Sequence, residues 1–383
     1  MSYRILRITT VPISLRLLLE GQMEFLRANG FEVLTVSSSG PDADFLKGQG
    51  IAHQAVPMTR MITPFRDLYC LLSIMVIILR FKPDMVHTHT PKAGLLGMMA
   101  SWACRVRVRI HTVAGLPLME ASGWKRQLLK LTERITYWCA HLVYPNSVGL
   151  REYLLAEFGI SDEQKKFRVI ANGSSNGIDT NYFSVTNELE QRALTVRREL
   201  SILPGELVFA FVGRIVKDKG IVELVEAFKV TRSQVNSKLI LIGPYEDELD
   251  PLPSETRLFL EQDPDVHCVG FQQDVRPWMK AADIFVFPSY REGFPNVVLQ
   301  AACLEIPCIV SDINGCNEII SNDLNGLVVP PGDASALSSA MLSLARDERK
   351  RREFGSRARQ WVAQHYDRKV FWEELLKTYR GLL

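Results

Sequence analysis

Residues 207–232 read LVFAFVGRIVKDKGIVELVEAFKVTR, and the fold turns on this stretch. Leu207–Val212 is an unbroken apolar run rich in β-branched and aromatic residues, the signature of a strand buried on both faces. Ile221–Arg232 has the length and amphipathic character of a helix packed beside it. A doubly buried strand feeding a helix belongs to a parallel sheet with helices on its faces. The turn between them holds Gly213, Arg214, Lys217, Lys219 and Gly220. Glycines let backbone approach a ligand, and cations at a helix N-terminus suit a phosphate; the competing reading is a solvated basic turn. Neither the P-loop nor the dinucleotide glycine pattern is present.

The same alternation extends in both directions. Towards the N-terminus, strands are expected at Arg4–Thr9, Glu32–Val36, Asp84–Thr88, Val106–Thr112 and His141–Pro145. Towards the C-terminus they are expected at Lys238–Ile242, Ile284–Pro288, Pro307–Val310 and Gly326–Val329. Helices are expected between them, among others at Leu15–Asn29, Pro91–Cys104, Lys125–Cys139 and Pro277–Ala282. Two such series predict two doubly wound α/β domains. The boundary falls in Asn172–Ser184, a Gly-, Asn- and Ser-rich stretch without periodicity. The expected division is 1–171 and 172–365, with a terminal helix over 366–383 packing back on the first domain.

A chain of 383 residues supports two such domains, and 47% hydrophobic with 23% charged residues excludes disordered, collagen-like and disulfide-stapled classes. Residues 1–170 carry 21 Lys and Arg against 13 Asp and Glu, whereas 171–383 carry 24 against 30. The first half therefore favours an anionic partner. No nucleic-acid recognition module accompanies that charge, so nucleic acid is not expected. The seven cysteines lack metal-ligand spacing and read as buried thiols of a reducing compartment. The start of the chain runs directly into a strand, which predicts no secretory leader. The longest apolar stretch, Leu68–Leu79, is too short to span a bilayer and is read as a buried helix. These features predict a cytoplasmic protein that at most lies on a membrane.

In parallel sheets ligands bind beyond the carboxyl ends of strands, so the polar residues there carry the chemistry. Strand Ile284–Pro288 runs into Ser289-Tyr290-Arg291-Glu292-Gly293-Phe294-Pro295-Asn296, with Gln300 a little over two helical turns beyond Glu292. Glu292 reads either as a helix N-terminal charge or as a carboxylate for sugar hydroxyls beside phosphate-binding amides. In the first half, His87, His89 and Lys92 follow one strand, and His111 ends another before Gly115. The three histidines superficially resemble a metal site, but no Cys or Asp/Glu stands at ligand spacing, and no metal is expected. Asp42-Ala43-Asp44 and Asp263-Pro264-Asp265 are read as chance DxD strings.

Taken together, Gly213-Arg214…Lys219-Gly220, Pro288-Ser289…Glu292-Gly293-Phe294 and Asn314-Gly315…Glu318-Ile319 resemble the donor half of glycosyltransferase family 4. His87-Thr88-His89, His111-Thr112 and Asn172-Gly173…Asn176-Gly177-Ile178-Asp179 are similar to its acceptor half and interdomain segment. The resemblance covers essentially the whole chain. Within the family, His89-Thr90-Pro91-Lys92-Ala93-Gly94 and the run Arg291–Gln300 look like bacterial surface-polysaccharide enzymes acting on lipid-linked sugars.

The resemblance implies the GT-B fold, two Rossmann-like domains facing across a cleft, and a retaining, metal-independent glycosyltransferase. It uses no cofactor beyond a nucleotide-diphosphate sugar as co-substrate. Arg214 and Lys219 would clamp the donor diphosphate near Gly213, and Glu292 would bind sugar hydroxyls beside the turn Gly293-Phe294-Pro295-Asn296 and its backbone amides. Gln300 would hold the ribose, Phe271–Val275 would lie near the nucleobase, and His111 would face the reacting sugar. His87, His89 and Lys92 would serve the acceptor, a glycan on a polyprenyl diphosphate, at an anionic inner membrane surface. Two positions depart from the family. Gln300 stands where a second Glu is usual, and Thr9–Ser14 stands in place of a glycine-rich loop. A sugar-nucleotide epimerase and a noncatalytic sugar-nucleotide binder are the alternatives; the first needs acidic bases that the motifs lack.

Overall fold

The structure, a computed structural model, describes residues 2–119, 121–161, 165–246 and 250–383. It divides into two compact units, Met1–Gly177 with Arg368–Leu383, and Ile178–Asp367.

The first unit is a six-stranded parallel sheet of β1 (Tyr3–Ile8), β2 (Phe31–Ser37), β3 (Ala52–Ala55), β4 (Met85–His89), β5 (Val108–Val113) and β6 (Leu142–Pro145), in the order β3-β2-β1-β4-β5-β6. Side-chain alternation divides each strand between two cores. Leu6, Ile8, Val36 and Val86 face the helices Pro64–Phe81, Pro91–Ala103 and Gly123–Cys139. Ile5, Val33, Met85 and Ile110 face the opposite layer, where the C-terminal helix Arg368–Leu382 buries Phe371, Leu375 and Tyr379.

The second unit repeats the plan with β7 (Leu207–Val212), β8 (Ser237–Ile242), β9 (Val266–Cys268), β10 (Ile284–Phe287), β11 (Cys308–Ser311) and β12 (Gly326–Val329), ordered β12-β11-β10-β7-β8-β9. β7 and β10 are central and wholly buried. In each sheet the strand order reverses once, between β1 and β4 and between β7 and β10. Loops leaving adjacent strands there diverge and leave room for a ligand.

Two strands lie outside those expected, and two expectations are corrected. β3 and β9 carry no apolar run: β3 reads Ala-His-Gln-Ala and β9 is three residues long. Both lie at sheet edges, where burial no longer dictates composition. The helix expected over Leu15–Asn29 is broken into a π-turn at Ser14–Leu18 and a helix at Gln22–Ala28. The break is Gly21, at φ +74°, where a Cβ would lie 2.8 Å from the Trp372 ring of the C-terminal helix. The helix containing Leu68–Leu79 is only half buried. Cys70, Ile74, Ile77 and Ile78 enter the core, while Leu68, Leu72, Val76 and Leu79 face outward.

Candidate active site

In the second unit the carboxyl ends of β7 and β10 bring the expected donor residues together at the reversal point. Gly220 caps the Lys217–Lys219 turn at φ +70°, and a Cβ there would collide with the Pro288 carbonyl at the end of β10. Glycine is thus what allows the two loops to touch. Gly243, leaving β8, is pressed equally closely over the Gly213 carbonyl. The segment after β8 therefore forms a third wall.

Lys219 Nζ lies 2.5 Å from Glu292 Oε1, and Ser289 Oγ donates to the same oxygen at 3.1 Å. Ser289 is fully buried, and both charged side chains are mostly buried. Arg214 Nη1 donates to Glu246 Oε2 at 2.9 Å and lies 3.7 Å from Asp218 by Nη2. Asp218 also accepts from Arg291 Nη2 at 2.9 Å. The two cations are thus each held by a carboxylate, in an environment where charge interactions are stronger than in bulk water. A diphosphate arriving here would find preorganised cations and would take over their pairing.

Beside them, Gly293, Phe294 and Pro295 lead into the helix Asn296–Cys303. Gly315, at φ +75°, packs against this turn, where a Cβ would lie 2.8 Å from Pro295 Cδ. The backbone amides of Gly293, Phe294 and Asn296 therefore stand at a helix start on a rigid support. Gln300, one turn into that helix, is half buried, and its amide makes no hydrogen bond to another described residue. Phe271, beyond the end of β9, is 74% exposed.

The first unit treats its polar strand-end residues differently. Residues 87 and 89 point to one side of β4, and Thr88 and His111 to the other. His111 is buried and stands beside Thr88 on the neighbouring strand, with Nδ1 2.8 Å from Thr88 Oγ1. Its ring lies flat over Gly94, where a Cβ would be 2.8 Å from Nδ1 and 3.0 Å from Nε2. Burial pulls the His111 pKa down to about 3, so the imidazole is neutral at any working pH.

His87 is not open to an acceptor. Nδ1 contacts Arg7 Nη1 at 2.7 Å and the Tyr379 hydroxyl, and Nε2 contacts Thr112 Oγ1 at 2.7 Å. It joins the sheet to the C-terminal helix. His89 stacks on it, ring centroids 4.3 Å apart, and lines a small cavity with Gln22, Tyr144 and Ser175. Burial keeps both imidazoles well below the usual histidine range. Lys92 binds Asp67 at 2.7 Å, along with the Met61 carbonyl, so its charge is already matched. The expected acceptor trio is thus dispersed over a structural link, a cavity wall and an ion pair.

At the reversal point itself, Thr90 holds φ +72°, rare for a β-branched residue, and its Oγ1 meets Thr10 Oγ1 at 2.8 Å. Such strain, on the order of 1–3 kcal/mol, collects at functional loops. Thr9–Ser14 is therefore tied to the loop after β4 by side-chain hydroxyls.

No group of three or more His, Cys, Asp or Glu among the described residues is placed to hold a metal ion. The DxD strings are engaged elsewhere: Asp42 pairs with Arg16, Asp44 with Lys47, Asp263 with Arg232 and Asp265 with Lys238. Sequence reading missed Glu246, Asp218 and Ser289, which hold Arg214 and Glu292. Gly243 at the end of β8, placed like Gly213 at the end of β7, was the available signal.

Residues 194–361 match the family model "Glycosyl transferases group 1", and residues 19–173 match "Glycosyl transferase 4-like domain". The chain is 35% identical over 382 residues to the capsular polysaccharide biosynthesis glycosyltransferase CapM of Staphylococcus aureus, covering 99% of this chain and 97% of that one. It is 26% identical to the UDP-Gal:alpha-D-GlcNAc-diphosphoundecaprenol alpha-1,3-galactosyltransferase of Escherichia coli, over 85% of this chain and 83% of that one. Among solved structures, Anabaena HepE in complex with UDP and glucose superposes with a TM-score of 0.82 at 18% identity, covering 99% of this chain and 100% of that one. That likeness establishes the shared GT-B fold.

Proposed function

Because the chain belongs to the group 1 glycosyltransferases with a 4-like N-terminal domain, we propose that it moves a sugar from a nucleotide-diphosphate donor to a glycan carried on a polyprenyl diphosphate. The product would enter surface polysaccharide at the inner face of the cell membrane. The observation that carries the reading is the Lys219–Glu292 pair beside Arg214, at the reversal point of the second sheet. A cation pair for phosphate adjoins a carboxylate for hydroxyls, the two functions a nucleotide-sugar site needs. The acceptor chemistry follows the relatives, two of which are named for sugars on diphosphoundecaprenol.

In this reading Arg214 and Lys219 hold the diphosphate, and the amides of the 293–296 turn share its charge. Glu292 turns from Lys219 to the sugar hydroxyls, Gln300 takes the ribose, and Phe271 adjoins the base. His111 belongs to the reacting face of the first unit as a neutral imidazole. The family resemblance implies retention, and transfer then proceeds by same-face displacement. The bond from the anomeric carbon to the diphosphate oxygen breaks as the acceptor oxygen bonds to that carbon. The acceptor proton passes to the departing diphosphate. The protein contributes positioning and charge stabilisation, which supply most of the rate in such reactions.

The test is a screen of nucleotide sugars against acceptors that include sugar-linked polyprenyl diphosphates, read as extended lipid-linked glycan. Transfer to a diphosphate-linked acceptor supports the reading. Turnover of donor with no acceptor present points to epimerisation instead, and donor binding with no transfer to any acceptor points to a noncatalytic binder.

A further inference from the structure

The helix Pro64–Phe81 leaves one whole side uncovered. Phe65, Leu68, Tyr69, Leu72, Val76 and Leu79 recur at intervals of three or four residues, so they form a single stripe along its length. Their exposure runs from 45% at Val76 to 93% at Phe65, and Met61 and Ile62 extend the stripe beyond the helix start. Contiguous apolar surface of this kind marks an interaction site.

Charge identifies the occupant. Arg60, Arg66, Arg80 and Lys82 border the stripe and are exposed. The one acid of this segment, Asp67, is committed to Lys92. A second copy of the chain docked symmetrically through this face would bring like charges together. The neighbouring helices of the same layer, Pro91–Ala103 and Gly123–Cys139, add exposed Trp102 and Trp138, whose rings lie 5.0 Å apart, and exposed Trp124. Indole rings favour the boundary between water and acyl chains. No helix among the described residues is long and apolar enough to cross a membrane.

We propose that this face lies in the surface of an anionic bilayer, with Pro64–Phe81 parallel to the membrane plane. Its apolar stripe enters the acyl boundary, and Arg60, Arg66, Arg80 and Lys82 meet acidic headgroups. The proposal deepens the preceding reading and rests on it for its purpose, which is to bring the enzyme to a lipid-linked acceptor. The basic helix segment Lys125–Lys130 offers such a surface less charge. There Arg126 and Lys130 are both bound to Glu157, at 2.6 and 2.9 Å.

The full chain is sedimented with vesicles of phosphatidylcholine alone or mixed with phosphatidylglycerol, as wild type and as the double variant Phe65→Ser, Leu72→Ser. Wild type should bind the mixed vesicles, and added salt should weaken that binding. The double variant should bind them about tenfold less or weaker still, with an unchanged melting temperature because both positions are exposed. Transfer to a water-soluble acceptor analogue should be retained, which separates failure of this proposal from failure of the proposed function. The proposal is overturned if the variant binds like wild type or if wild type ignores anionic vesicles. It is also overturned if the variant only converts a wild-type dimer to a monomer.

Discussion

Lys219 Nζ and Glu292 Oε1 lie 2.5 Å apart, although 73 residues separate them in the chain. One side chain leaves the end of β7 and the other follows β10, so the reversal of strand order creates their contact. Each is also the group proposed for a different part of the donor. The pair must therefore open on binding, Lys219 turning to phosphate and Glu292 to sugar. Ser289 is buried and donates to Glu292 at 3.1 Å, a bond that would hold the carboxylate once Lys219 lets go.

Gln300 gives the first prediction. An uncharged amide can hold a ribose hydroxyl pair without repelling a diphosphate. Gln300→Ala should raise the donor KM about tenfold, the loss of one hydrogen bond of about 1.4 kcal/mol. Gln300→Glu should keep substantial activity. Steady-state kinetics with donor varied decides it, and an unchanged KM in the alanine variant would reduce Gln300 to helix packing.

His111 gives the second. Thr88 Oγ1 also lies 3.4 Å from the Ile110 carbonyl, to which it can donate while accepting from His111 Nδ1. That arrangement leaves Nε2 unprotonated. Nitrogen-15 NMR of histidine should show one neutral tautomer in wild type and Thr88→Ser, and a mixture in Thr88→Val. Gly94→Ala should displace the ring and lower turnover by up to about 10²-fold, the scale of an ångström of misplacement. The pH profile of kcat should contain no ionisation from His111 between pH 5 and 9, because burial holds its pKa near 3. A wild-type tautomer mixture would defeat the assignment.

Glu133 gives the third, which concerns stability. It is buried in the helix Gly123–Cys139 beside Tyr137, and burial raises its pKa to about 7. The folded state thus holds a proton that the unfolded chain releases near pH 4.5. That stabilising contribution is complete below pH 4.5 and is lost as pH rises through 7. Glu133→Gln should therefore melt above wild type at pH 8 by an amount worth up to about 3 kcal/mol, and the gap should shrink towards pH 5. A gap that widened on acidification would show that Glu133 is stabilised as a carboxylate.

How much of this was legible in the sequence depended on whether burial dictates composition. The central strands β7 and β10 are wholly buried, and their apolar runs revealed the fold. The edge strand β3 is polar and left no trace, and β9 is only three residues long. The run Leu68–Leu79 is apolar nearly all round, but it does not record which side a neighbour covers. Gly213, Lys219 and Glu292 were visible because strand ends flag ligand sites. Glu246, 32 residues from Arg214, was not, since an ion pair across a sheet has no local pattern. The three histidines looked like one cluster until the two-residue alternation of β4 set His87 and His89 on one face and aligned Thr88 with His111 on the other.

The central claim is that Arg214 and Lys219 clamp the diphosphate of a sugar donor. It is tested most directly by kcat of Arg214→Ala and Lys219→Ala, using the donor and lipid-linked acceptor found by the screen, with circular dichroism confirming the fold. The account predicts that each variant loses about 10²–10³ in turnover, the usual effect of removing one charge-stabilising donor. Near-normal turnover in both would contradict it.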